Sequence, residues 1–527
     1  MNHGIILGSM QTVPELFVTD PDWINIKRAA GAHKIATYLR KQGWDIEVLD
    51  YWTSFDLQEL KYFFQTRINE NTKFIGISST FPHHNNILEN IKTNLTWFKQ
   101  TYPHIPIIAG SKSLYVTREL PADYHVTGYG EKGVLELLKK LDGKESSVVI
   151  NKLDNKNIVH CDVNHPCFPE KDLAVEYEDR DFIQPDEVLT LELSRGCKFK
   201  CKFCSYNVIG VKGDYTRDME SLHHEMLTNY EKWGVTSYSI ADETVNDTVD
   251  KLKAVADQVK KLPFKPNMFG YVRGDLLASR EDDKKYMAEM GLWGHYYGIE
   301  SLNHKSAKTI GKGLRPEKLI EGLSIARDYF EKNVKKYRAT FSMIAGLPYE
   351  TPETLRNSME ILTEKFPKEA IMMFPLYLGR TIDINESSSE FSRTWMTSGD
   401  FHPEEMPWRD LTVDDVKQMG VDSREGDLSW PIAHRVLNNI DNPEAVRWKH
   451  DTMDWYSANI EWGKLISTKH FFGKGVLNWN LYNFVSSRYV DNYEEALKIK
   501  NNEINFDKLK DLTQDHIEDY KWKKLSL

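Results

Sequence analysis

The chain has 527 residues, 28% charged and 40% hydrophobic, with a formal net charge of -10. That mixture suits roughly two to four soluble globular domains, and no apolar run approaches the ~20 residues of a membrane-spanning helix. The acidic balance disfavours a nucleic-acid backbone as the main partner. Five cysteines are too few for a disulfide framework, and the opening "MNHGIILGSM" has no basic region followed by a long apolar stretch. A reducing, cytoplasmic compartment is therefore expected, where thiolates bind metal or do chemistry.

Residues 1 to about 144 alternate short apolar runs with amphipathic stretches. Strands are expected at 4–7, 45–50, 74–79, 105–110 and 123–128, and helices at 26–43 and 85–102. The alternation predicts a doubly wound parallel sheet, with ligand-facing loops at 8–22, 79–84, 110–114 and 128–133. In the last of these, "TGYGEKG", Gly128 and Gly130 would let the backbone approach a ligand closely. His83 and His84, after the third strand, read as ordinary loop histidines. Residues 145–185 read as a polar hairpin and a proline-punctuated linker. Cys161 and Cys167 lie there, most simply as free thiols packed against the next domain.

Between about 186 and 385 the alternation repeats six times, with strands expected at 187–194, 237–242, 267–273, 294–300, 337–346 and 370–377. Six β/α repeats predict a partial (β/α)6 barrel of the TIM type, with its chemistry at the carboxyl ends of the strands. Just past the first strand comes "ELSRGCKFKCKFCSYN" (192–207), holding Cys197, Cys201 and Cys204 among Lys198, Lys200 and Lys202. Three thiolates from one loop can grip three irons of a [4Fe–4S] cube and leave the fourth iron open. Basic neighbours would offset the cluster's charge and lower the thiol pKa values. The zinc alternative needs a fourth ligand, for which His223 or His224 would have to serve.

The spacing Cys-x-x-x-Cys-x-aromatic-Cys, with Phe203 as the aromatic, resembles the signature of the radical SAM superfamily. Further stretches after the expected strands are similar to that family's elements. "ADET" (241–244) resembles its Gly-Gly-Glu element, which implies that Glu243, with Asp242 beside it, meets the amino group of S-adenosylmethionine (SAM). "YVRGD" ends the third strand and offers Arg273 and Asp275. "GIESLNHKSAKTIGKG" (298–313) follows the fourth, which implies that Glu300 and Ser301 contact the ribose or carboxylate of SAM. "SMIAGLPYET" (342–351) resembles the adenine-side element with Ile344 and Gly346 in register; Ser342 replaces its first glycine and its glutamate falls one place late, at Glu350.

The N-terminal unit, through "IGISSTF", "PIIAGSKS" and "VTGYGEKGVLELL", resembles the cobalamin (B12)-binding-like Rossmann domain that precedes many radical SAM cores. The Asp-x-His-x-x-Gly signature that supplies a histidine beneath cobalt is absent. Two readings stay open: a domain that holds cobalamin without that histidine, and one that has lost the cofactor. The resemblance implies a [4Fe–4S] cluster and SAM as cofactors, cobalamin as a third in the first reading, and an electron donor such as flavodoxin or ferredoxin.

Residues 386–527 read as a mainly helical extension carrying eight of the 14 tryptophans, either as core or as a lid over the barrel. The expected organisation is thus 1–144, 145–185, 186–385 and 386–527. The expected activity is reductive cleavage of SAM serving methyl transfer to an unactivated centre, on a small-molecule or peptide substrate. The alternatives are a cobalamin-independent oxidoreductase or isomerase, and a non-catalytic metal-binding protein.

Overall fold

The computed structural model describes residues 1–375, except 10, 13–25, 51, 55–56, 80–84, 113, 162–173, 182, 184–186, 205, 207–212, 214, 336, 346, 348 and 350–351. His83, His84, Cys167, Gly346, Glu350 and the whole C-terminal extension lie outside the described residues.

The first sheet is built from apolar runs buried on both faces, as parallel strands require. Its strands are β1 (His3–Gly8), β2 (Asp45–Asp50), β3 (Thr72–Ser78), β4 (Ile107–Ser111) and β5 (Tyr124–Thr127). They are all parallel, in the order β2-β1-β3-β4-β5. This is the flavodoxin-like winding, which reverses direction between β1 and β3 and leaves a crevice at their carboxyl ends. Alternate residues serve opposite faces. Ile5, Leu7, Ile75 and Ile77 pack with Phe63 and Phe64 of α2 (Leu57–Arg67) and Phe98 of α3 (Asn85–Thr101). Ile6, Val48, Ile108 and Val126 pack with Ala32 and Ala36 of α1 (Ala30–Lys41). The hairpin expected in the connector joins this sheet: β7 (Lys156–His160) pairs parallel with β5, and β6 (Asn151–Leu153) pairs antiparallel with β7. Cys161 follows it and packs against the same core.

One element departs from the sequence expectation. Residues 26–29 carry helical periodicity, yet Ile26–Lys27 pairs antiparallel with Gln11–Thr12 and the helix begins only at Ala30. The cause is Arg28, 2% exposed, which meets Glu187 at 2.5 Å and 2.6 Å, Asp50 at 2.5 Å and the carbonyl of Asp181 at 2.9 Å. Three buried partners for one guanidinium outweigh a turn of helix.

The second sheet holds six parallel strands in sequence order: β8 (Val188–Leu191), β9 (Ser237–Ile240), β10 (Asn267–Arg273), β11 (Leu292–Glu300), β12 (Arg338–Ala345) and β13 (Ala370–Pro375). Among the described residues β8 and β13 do not pair, so the sheet is an open partial barrel. Leu189, Tyr238, Met268, Ile299 and Phe341 point outward into the core shared with the helices. Those helices include α4 (Met219–Trp233), α5 (Val249–Val259) and, further on, a long helix (Pro316–Asn333). The first is capped by the Asp218 carboxylate and ends at Gly234, whose φ of 72° suits glycine. With the outward set fixed, Thr190, Ser239, Tyr271, Arg273 and Ser342 fall on the concave side.

Candidate functional site

The cysteine loop leaves the carboxyl end of β8 and is pinned from beneath. The Asp242 carboxylate accepts from Leu193 N (2.8 Å), Ser194 N (3.2 Å) and Ser194 Oγ (2.7 Å). Lys251 Nζ lies 3.2 Å from the same carboxylate and 2.6 Å from Asp247. All these side chains are buried, so the charges are paired where removal of one would leave another stranded. Beyond the anchor, Ser194–Arg195 pairs with Tyr215–Thr216, and Gly196 turns the chain with φ 99°. Cys197, Cys201 and Cys204 stand outside any disulfide, each half-buried. Cys204 N donates to Cys201 O at 3.1 Å, while Lys202 N reaches Ile310 O at 3.3 Å.

Arg273, at the end of β10, reaches the loop directly. Its guanidinium donates to Cys201 Sγ at 3.3 Å and to Gly311 O at 3.0 Å, and lies 4.1 Å from the centre of the Phe199 ring. Asp275 holds it in place at 2.9 Å. Burial disfavours the charge, but Asp275 and Cys201 more than offset this and raise the pKa. Gly311 has φ 90° and lies against Lys200 and Cys201, so the segment after β11 covers the loop. Asn246, fully buried, accepts from Arg273 N and donates to Arg273 O, fixing the strand end.

Glu300 stands at the end of β11 with φ 69°, a backbone region that costs a non-glycine residue about 1–3 kcal/mol. It is 7% exposed, and Lys312 Nζ lies 3.1 Å from Oε1. Gly298 has no room for a Cβ, because one there would lie 2.6 Å from Glu300 Oε1. Ser301 is buried, and its Oγ accepts from Asn303 N. Ile344, 8% exposed, lies on β12, and Phe203 is half-buried in the loop itself. Glu243 lies one residue past Asp242 in a different setting: partly exposed, it meets Lys112 at 2.6 Å. Burial works against the Lys112 ammonium, but Glu243 outweighs it and the pKa is raised.

The expected basic surroundings do not lower the pKa values of Cys197 and Cys204. Lys198 and Lys200 are exposed. Burial pushes the Cys197 thiol up and the Cys204 thiol up to about 12. Loading a metal centre here must therefore displace protons. Nor does His223 approach as a zinc ligand: its Nδ1 is 3.3 Å from the carbonyl of Gln258, against α5. Among the described residues no three of His, Cys, Asp and Glu form a single-ion site. The donor set of three thiols on one loop, with an arginine already bonding one sulfur, fits a cluster held at three corners.

The carboxyl end of the first sheet faces this loop. Lys112 comes from just past β4, and its ammonium lies 4.8 Å from the Tyr206 ring. Tyr129, between Gly128 and Gly130, stacks under Arg195 at 4.0 Å and places its hydroxyl 3.5 Å from that of Tyr206. Arg195 pairs with Glu131 at 2.5 Å. Gly128 itself, with φ 90°, leaves β5 without a side chain and allows close backbone approach. The sequence pattern marks the two glycines but not Lys112 and Asn246, whose partners lie 27 or more residues away, nor Lys312, which lies inside the marked stretch 298–313 without a role given to it.

Residues 191–362 match the family model described as the radical SAM superfamily. The chain is 26% identical over 167 residues to "Uncharacterized methyltransferase PH0819" from Pyrococcus horikoshii, a match spanning 32% of this chain and 35% of that protein. The chain thus matches about a third of the length of that curated relative. Its fold is like that of the radical SAM methyltransferase TsrM from Kitasatospora setae, solved with cobalamin and a [4Fe–4S] cluster, at TM-score 0.54 and 14% identity, over 72% of this chain and 76% of that one. It is also like the cobalamin-dependent radical SAM enzyme OxsB, at TM-score 0.51 and 15% identity, over 95% of this chain and 71% of that one. Among the described residues no helix is long and apolar enough to cross a membrane.

Proposed function

We propose that the chain is a radical SAM enzyme in which Cys197, Cys201 and Cys204 hold three irons of a [4Fe–4S] cluster. The observation that carries this reading is the set of three thiols on one loop at the carboxyl end of an open parallel barrel, with Arg273 hydrogen-bonded to Cys201. Such a cluster supplies the electron that splits SAM. The chain's own side chains do the rest. Glu243 would take the ammonium of SAM in place of Lys112, while Asp242 positions the loop beneath. Glu300 and Ser301 would meet the carboxylate or ribose, Ile344 and Gly346 would flank the adenine, and Phe203 and Arg273 would pack beside the cluster.

The preferred reaction is methyl transfer to a carbon or phosphorus centre of a small molecule, with cobalamin held by the first sheet. Its support is the domain pairing shared with TsrM and OxsB and the methyltransferase name of the curated relative. The absent Asp-x-His-x-x-Gly favours the second reading, a cobalamin-independent hydrogen-abstracting enzyme. The proposed units are a cobalamin-binding-like domain (1–144), a connector (145–185), the radical SAM core (186–385) and a C-terminal unit (386–527). The proposal extends to a flavodoxin- or ferredoxin-type electron donor in a reducing, cytoplasmic setting.

The test is anaerobic reconstitution with iron and sulfide, then SAM and dithionite with and without hydroxocobalamin, and mass spectrometry of the products. 5′-Deoxyadenosine lost in Cys201→Ala supports the enzyme reading, and S-adenosylhomocysteine formed only with cobalamin supports methyl transfer. One bound zinc and no cluster contradicts both.

A further inference from the structure

Barrels of this kind are filled by branched apolar side chains, but the concave side here carries hydroxyls. Thr190 on β8 pairs in register with Ser239 on β9, and Tyr271 on β10 with Tyr296 on β11. Tyr271 is 45% exposed, so the concave side is open to solvent there. Thr190 is 6% exposed, and its Oγ1 has no hydrogen-bond partner among the described residues. An orphaned hydroxyl at such depth costs about 1–3 kcal/mol, and a ligand atom would satisfy it.

An ammonium group lies beside this pair. Lys27, on the extended segment that Arg28 holds against β8, sends Nζ to Ser239 Oγ at 2.9 Å. It is half-buried and meets no carboxylate among the described residues. That sets it apart from Lys34, Lys112, Lys251 and Lys312, each of which faces an acid. Desolvation, with no anion to oppose it, lowers its pKa to about 8.

We propose that Lys27, Ser239 and Thr190 form an oxyanion subsite that holds a carboxylate or phosphate of the substrate. The ammonium supplies charge, Ser239 and Thr190 supply hydroxyl donors, and the arriving anion provides the counter-charge that the protein lacks. Asp242, the anchor of the cysteine loop, follows Ser239 by three residues, a reach of at most ~10 Å for extended chain. A small molecule with an oxyanion at one end spans that interval. The substrate role rests on the radical SAM reading; the subsite itself does not.

The test uses the full chain, a neutral acylating reagent and peptide mass spectrometry, reading the labelling of every lysine across a pH series. Inorganic phosphate and propionate are the probes, with chloride as the ionic-strength control. Lys27 is expected to label with a midpoint near pH 8. At ten times its dissociation constant the effective anion slows Lys27 labelling about tenfold, and the midpoint moves up because the anion favours the ammonium. Thr190→Val weakens that protection while labelling of Lys112 stays as it was. Protection by phosphate alone or propionate alone identifies which oxyanion the subsite takes. Chloride protecting equally, neither probe protecting, or Lys27 labelling only after unfolding each overturns the proposal. Protection in a chain that takes up no cluster on anaerobic reconstitution keeps the subsite and defeats the radical reading; SAM cleavage without protection does the reverse.

Discussion

Asp242 and Glu243 are adjacent in sequence and opposite in setting. Asp242 is buried and holds two backbone amides, a serine and a lysine, whereas Glu243 has one partner at a partly exposed surface. Asp242→Ala leaves Lys251 with Asp247 alone and takes the acceptor from the amides of Leu193 and Ser194, and is expected to cost about 1–3 kcal/mol, read as a lower urea midpoint. Glu243→Gln is expected to change stability by less than about 1 kcal/mol while weakening SAM binding in an equilibrium assay. Equal destabilisation by both would contradict the division of roles. His295 gives a second residue-scale expectation. It is wholly buried, with its ring against Tyr297 and the carbonyl of Leu292, and burial lowers its pKa to about 4. Its folded pKa lies below the unfolded value near 6.5, so the stability it contributes is complete above that pH and is lost as pH falls toward 4. The loss amounts to roughly 3 kcal/mol, and His295→Gln is expected to flatten this part of the stability–pH curve. At this scale the cysteines were legible because their spacing is itself the chemistry. Lys27, Lys112 and Arg28 were not, because a lone cation reveals its role only once its distant partner is known.

Among elements, periodicity and alternation located all eleven main parallel strands. It succeeded because buried parallel strands are apolar on both faces and bounded by turns. It failed at residues 26–29, where helical spacing lost to the buried contacts of Arg28 with Asp50, Glu187 and Asp181. Arg28→Ala removes the guanidinium that Glu187 and Asp50 share, leaving Asp50 with His33, and is expected to cost about 3–5 kcal/mol. Because the same contacts place Lys27, limited proteolysis of this variant should show faster cleavage before Ala30. Cleavage unchanged from wild type would mean that the segment is held by something else. The bulge between Gly298 and Glu300 was also hidden: the motif marked the glutamate, but not the left-handed backbone that turns it.

Across the whole molecule, two parallel sheets present their carboxyl ends to one another. Such ends are where open α/β sheets and barrels bind ligands, and here Lys112–Glu243, Tyr129–Tyr206 and Arg195–Glu131 span the junction. Cofactors held at the two ends would therefore face one another, the arrangement that a relay between SAM and a second cofactor requires. The two sheets were readable from the alternation patterns; how their ends meet was not, since each contact joins residues far apart in sequence. The most direct test of the central claim is electron paramagnetic resonance of the anaerobically reconstituted, dithionite-reduced chain, recorded with and without SAM. The account predicts the signal of one reduced [4Fe–4S] cluster that shifts when SAM is added and is absent from Cys201→Ala. A cluster signal indifferent to SAM, or no cluster at all, would contradict it.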